Sequence, residues 1–252
     1  MKLRTGDVYR RVGRACPQMT YYEADRILNK HDFMALDAAI ENTLACCDCK
    51  RDIAETLAQN AASENLQIGD QDVRLTLGFI LDIVRKMGAM PGQRTLILIS
   101  PGFLTVTPEA MLGKSEVLDM AAKSNVTINA LDARGLYTIT AEASEQNRGS
   151  YVAERNAAQY RGYSMTLNED VMAELSDGTG GTFFHNSNDL EGGLQRLTVV
   201  PEWVYVLEFS PTGVKQDGSY HPLKVKVKDE GLRVEARRGY FAFRPSSSKA
   251  KD

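Results

Sequence analysis

Two short apolar runs constrain this chain more than anything else in it. Thr95–Ser100 (TLILIS) is continuously apolar, bounded by Gly92 before it and Pro101-Gly102 after it. Such a run suits a central strand with both faces covered. A helical segment over Glu109–Ser124 follows, started by Thr107 or Pro108. Next comes Val126–Leu131 (VTINAL), which is rich in β-branched residues. Strand, helix and strand in that order make a βαβ unit, with a parallel pair and a right-handed crossover. The expected fold class is α/β.

Met172–Leu197 (MAELSDGTGGTFFHNSNDLEGGLQRL) extends the same alternation. A helix over Leu167–Leu175, with Asn168 as its candidate N-cap, runs into Gly178, Gly180 and Gly181. A brief strand, Thr182–Phe184, and a polar turn, Asn186–Asp189, lead into another helix. Glycine loops that cradle phosphate follow a strand and open a helix. This one follows a helix and enters a strand, so its expected role is a helix C-cap and tight turn.

Residues 1–90 read as a mostly helical region. Tyr21–Asn29 and Asp32–Cys46 have helical periodicity. In Asp70–Met87 the residues Val73, Leu77, Ile80, Leu81, Val84 and Met87 fall on one face. Residues 91–200 form the α/β region. Within them, 136–165 is expected to be a long flexible loop, because Asp132–Met165 loses periodicity and is poor in apolar residues. Residues 201–244 change to a period of two. The expected strands are Trp203–Ser210, Tyr220–Lys228, Leu232–Ala236 and Arg237–Phe243, joined as an antiparallel β-module. In Tyr220–Lys228, Leu223, Val225 and Val227 alternate with Lys224, Lys226 and Lys228, as one-sided burial predicts. Residues 245–252 are a polar tail.

Of 252 residues, 43% are hydrophobic and 25% are charged, the balance of a soluble globular protein. A formal net charge of −3 gives no general attraction to nucleic acid or anionic membranes. No apolar run reaches membrane-spanning length. Residues 1–22 have no apolar signal-peptide core, so the chain taken literally is cytoplasmic; an upstream start would overturn that. All four cysteines, Cys16, Cys46, Cys47 and Cys49, lie near the N-terminus. They are reduced thiols in a cytosolic setting. In an oxidising one, Cys16 pairs with one of Cys46, Cys47 and Cys49. A zinc site is a third reading, weakened because C-C-x-C lacks the usual C-x2-C spacing.

RTLILISPGF, NVTINALDARGLYT and LSDGTGGTFF with DLEGGLQRL resemble the C-terminal half of a von Willebrand factor type A (VWA) domain. They look most like the bacterial VWFA-related group. IGDQDVRLTLGFILDIVRKMGAMPGQR is similar to the helix before that domain's fourth strand. The terminal YVLEFSP…DGSYHPLKVKVK…GLRVEARRGYFAF resembles the β-module that follows it. The resemblance implies a partial VWA, Rossmann-like parallel sheet with flanking helices, then a small antiparallel β-module. It also implies an exported, secreted or periplasmic setting and a ligand site at the carboxyl ends of the strands. In the family that site is a metal-ion-dependent adhesion site, where oxygen ligands suit magnesium.

The chain departs from that pattern. Asp-x-Ser-x-Ser is absent, and where the family often has Thr-Asp-Gly this sequence has Ser100-Pro101-Gly102. We therefore expect the metal site to be degenerate or missing and no cofactor to be held. The first three family strands are also missing from the pattern before residue 94. That would leave Thr95–Ser100 an open edge prone to self-association.

Other chemistries find little support. Ser100 is not in a G-x-S-x-G elbow. His31, His185 and His221 lack metal spacing. Ser100 and Asp132 are the ligand-edge candidates, although Asp132 also suits a capping or turn role in Asp132–Gly135. No catalytic residues are assigned. The leading expectation is a non-enzymatic interaction protein that binds protein partners. One alternative is a cryptic enzyme or small-ligand binder using Ser100, Asp132 and the 136–165 segment as a lid. The other is a non-functional fragment. The missing strands raise the hypothesis of a truncated or start-misassigned VWA-type protein, which the DNA upstream of Met1 checks. An in-frame strand ending in Asp-x-Ser-x-Ser behind a signal peptide would support it, and an immediate in-frame stop codon with a monodisperse, cooperative monomer would count heavily against it.

Overall fold

Thr20 begins the first helix, α1 (Tyr21–Leu28), through a capping box. Its hydroxyl accepts from the Glu23 amide, and the Glu23 carboxylate accepts from the Thr20 amide at 2.7 Å. The computed structural model describes residues 17, 19–92, 94–136, 151–198, 213, 220–228 and 239–241. Asp32 caps α2 (Phe33–Cys46), its carboxylate accepting from the Met34 and Ala35 amides. Then come α3 (Arg51–Gly88), β1 (Arg94–Ser100), α4 (Pro108–Lys123), β2 (Val126–Asp132), α5 (Tyr151–Thr179), β3 (Phe183–Phe184), α6 (Leu190–Thr198), β4 (Tyr220–Pro222) and β5 (Gly239–Phe241). The molecule is a mixed α/β protein, mostly helical, with a small three-stranded parallel sheet. Among the described residues no helix is long and apolar enough to cross a membrane.

The chain divides into two units. One comprises Met1–Ile80, Gly102–Ser115 and Tyr137–Val171. The other comprises Leu81–Pro101, Glu116–Leu136 and Met172–Asp252. The core of the first is built largely from alanines, which let helix backbones approach closely. Ala24, Ala35, Ala39, Ala54, Ala58 and Ala62 are buried with Ile27 and Ile40. The Tyr21 ring lies against Gly69, where a Cβ would collide with it, and its hydroxyl donates to Asp70 at 2.5 Å. Thr107 donates to the same carboxylate oxygen at 3.1 Å. Asp32 does more than cap α2. It also accepts from Arg26 Nη2 at 2.7 Å and from the Tyr160 hydroxyl at 3.0 Å.

In the second unit β1 and β2 pair in parallel from Arg94↔Val126 to Ser100↔Asp132, and β2 pairs with β3 at Ala130↔Phe183 and Leu131↔Phe184. The order is β1-β2-β3. Val126, Ile128, Ala130 and Leu131 of β2 are buried, as are Val117, Ala121, Met172 and Leu175 on the helices. The glycines after α5 act as read from their order. Gly180 has φ 77°, and Gly181 donates back to the Ser176 carbonyl at 2.8 Å while Gly180 donates to Asp177. This is a Schellman C-cap. A Cβ at Gly181 would collide with the Ile128 carbonyl, so glycine also lets the chain enter the sheet. The Arg94 guanidinium donates to the Met90 and Ser124 carbonyls, quenching carbonyls that follow α3 and α4.

Three expectations need correction. The stretch 136–165 is not one long loop, because α5 is helical from Tyr151 onward. Residues 137–150 lie outside the described residues. Asn168 is consequently inside α5 and caps nothing. The alternation in Tyr220–Lys228 yields strand only over Tyr220–Pro222, paired antiparallel with Gly239–Phe241. Val225 and Val227 are exposed. The expected strands Trp203–Ser210 and Leu232–Ala236 lie outside the described residues. So does Arg237–Phe243, apart from its β5 part.

Asp32 generates a pH prediction. Burial alone would raise its carboxyl, but hydrogen bonds from Arg26, Tyr160 and the Ala35 amide hold it below its ordinary value of 3.8. A depressed folded value means the stabilisation is complete above the unfolded value and is lost as pH falls through the folded one. Asp32→Ala should cost about 2 kcal/mol at neutral pH, from the lost cap and charged hydrogen bonds. Urea unfolding should show this gap to the parent protein shrinking in acid.

Candidate functional site

β1 and β2 end side by side, so the parallel register brings the two ligand-edge candidates together: Ser100 and Asp132 are register partners. Directly after them the Ala133 amide donates to the Ser100 carbonyl at 3.0 Å and turns the chain. Arg134 then folds back onto Asp132. Its backbone amide and Nε both donate to Oδ1 at 2.9 Å, and its Nη2 donates to Oδ2 at 2.7 Å. The Asp132 side chain is 1% exposed and that of Arg134 is 15% exposed. Gly135, with φ 74°, completes the turn, and the Leu136 amide donates to Asn188 Oδ1 at 2.8 Å. The end of the sheet is thus tied to the turn between β3 and α6.

This geometry decides what Asp132 does. Both of its oxygens are committed to a guanidinium in a forked, charge-assisted pair. It is a counter-ion and turn residue, the capping role its place in Asp132–Gly135 suggested. The residues present do not suit a hard divalent cation. Pro101 offers no side-chain oxygen, and Arg134 puts a positive charge where the cation would need a carboxylate. Among the described residues no group of three or more His, Cys, Asp or Glu side chains is placed to hold a metal ion. His31 sits in a left-handed turn with φ 52°, His185 stacks on Phe183 at 4.6 Å, and His221 lies in β4.

Arg134 was not singled out from the sequence. The only signal was its position two residues after a strand-end aspartate, a spacing too common to carry weight. The cysteines take the oxidised of the readings left open, and the structure narrows the partners open to Cys16. Cys47 and Cys49 are bonded to each other, with their Cα atoms 5.3 Å apart, which removes both as partners for Cys16. Cys46 is also disulfide-bonded, and Cys16 lies outside the described residues. Sulfurs joined in disulfides do not ligate zinc as thiolates. Cys47 and Cys49 instead pack against the alanine-rich core.

Comparison with known proteins returned no relative: no family model, no curated protein and no solved structure matches the chain.

The Asp132–Arg134 pair makes a stability prediction. Asp132→Ala should cost about 3 kcal/mol, because it removes the buried carboxylate paired with a mostly buried guanidinium. Replacing both partners with apolar residues, Asp132→Leu with Arg134→Met, should recover most of that loss. Thermal denaturation of the single and double variants measures the difference.

Proposed function

We propose that this is a non-enzymatic interaction protein of VWA type whose metal site is degenerate, and that it engages protein partners through the edge of its parallel sheet. The observation that carries the reading is β1. Its sequence, RTLILIS, has the composition of a central strand. Yet among the described residues it is hydrogen-bonded along one edge only, to β2, and Ile99 is 56% exposed. An apolar strand with an open edge is a template for another strand. The internal neutralisation of Asp132 supports the non-enzymatic side of the reading, since that carboxylate is not available as a base or nucleophile. The Cys47–Cys49 bond and the oxidised Cys46 support an exported protein, because disulfides persist in oxidising compartments.

The test is partner capture by cross-linking in the producing cell, with site-specific controls. Ile99→Lys, which places a charge on the edge strand, should abolish capture, and Ser100→Ala should leave it intact. Magnesium should leave the melting temperature unchanged. The small-ligand alternative would take over if a metabolite raised the melting temperature by several degrees, the scale expected near saturation, and Ser100→Ala removed that rise.

A further inference from the structure

We infer that α3 is a self-association surface, and that its occupant is the α3 of a second copy of this chain, laid antiparallel across it. The helix has two apolar faces. One is packed within the protein and includes Ala54, Ala58, Ala62, Val73, Leu77 and Ile80. On another face Ile53, Leu57, Ile68, Leu75 and Phe79 are between 39% and 63% exposed. At about 100° per residue these five lie within an arc of roughly 80°, a stripe along the helix that Glu64 and Gln71 interrupt. A solvated helix face does not need five large apolar side chains in line. A stripe of this kind marks an interaction surface.

The spacing of the stripe selects the partner. Ile53 and Phe79 are equidistant from Leu66, and so are Leu57 and Leu75. Two copies related by a two-fold axis at that midpoint therefore set Ile53 over Phe79 and Leu57 over Leu75, twice each. Self-complementarity of this kind is what an isologous interface requires. Charge follows the same symmetry. Lys50, whose carbonyl accepts from the Ala54 amide and so continues the helical path, is as far from Leu66 as Asp82 is. Each end of the antiparallel pair thus joins a lysine to an aspartate that Arg85 also reaches at 3.1 Å, and both side chains belong to exposed residues. In a parallel pairing Lys50 would face Lys50 and Asp82 would face Asp82. At the centre Glu64 meets Ile68 of the second copy, and the two Glu64 carboxylates lie close across the axis. That repulsion weakens the pair. The inference does not depend on the VWA-type reading, and it uses a surface separate from the β1 edge.

Sedimentation equilibrium on the full chain tests it. The parent protein should show a reversible monomer–dimer equilibrium. Leu57→Glu combined with Leu75→Glu should give a monomer with an unchanged circular dichroism spectrum, since both side chains are already exposed. Glu64→Gln should tighten the dimer. Lys50→Glu and Asp82→Lys should each weaken it about tenfold, and the two together should restore it to within about threefold of the parent. A parent protein that is monomeric at every concentration overturns the proposal. So does a dimer that survives the Leu57 and Leu75 changes, or a charge swap that fails to restore binding. A dimer lost on Ile99→Lys but not on the α3 changes would assign self-association to the sheet edge and overturn it as well.

Discussion

Ile128, buried in the middle of β2, meets the constraint on which the sheet unit depends. A buried amide and carbonyl must find partners, and β3 is only two residues long. Beyond the reach of β3 a side chain takes over. Thr179 Oγ1, at the end of α5, accepts from the Ile128 amide at 2.8 Å. One residue along, Asn129 bridges two elements: its amide nitrogen donates to the Leu197 carbonyl of α6, and its oxygen accepts from the Thr182 amide. The short third strand is thus completed by polar side chains rather than by more backbone. The helix ends that flank it are fixed to the same few atoms.

Carboxylates in this protein work as anchors. Asp32 joins α2 to Arg26 and Tyr160. The Tyr160 hydroxyl responds by rising to about 12, through burial first and then its bond to that carboxylate. Asp132 closes the sheet's end with Arg134. Asp70 collects the Tyr21 and Thr107 hydroxyls. In each case the negative charge is used up inside its own unit. Large apolar side chains are exposed on β1, along α3 and elsewhere, Phe33, Leu112 and Leu136 among them.

The sequence made the βαβ unit, the helical stripe ending α3 and the glycine turn after α5 legible, because each rests on local spacing. Val73, Leu77, Ile80 and Val84 are all buried as their periodicity required. The start of α5 was hidden because Tyr151–Met165 is polar and its helix lacks an apolar face strong enough to read. The expected strand Tyr220–Lys228 had clear alternation, yet strand forms only over Tyr220–Pro222 and Val225 and Val227 are exposed. At the sheet's end Ser100 and Asp132 were found by their place after two strands. What Asp132 does depended on the rotamer of Arg134, which spacing does not determine.

The Asp32–Tyr160 hydrogen bond joins residues 128 positions apart, within a unit assembled from three separate stretches of chain. On the ribosome, α1 and α2 emerge long before the tyrosine that anchors them. At roughly 5–20 residues per second, the delay is on the order of ten seconds. During that time α1, α2 and α3, with the Gly102–Ser115 segment that brings Thr107 to Asp70, are made without Tyr160. The exposed apolar stripe of α3 is also already synthesised. If α3 pairs with a second copy as inferred above, nascent chains on neighbouring ribosomes would meet through it before Tyr160 is made, and the timing of translation would bear on assembly.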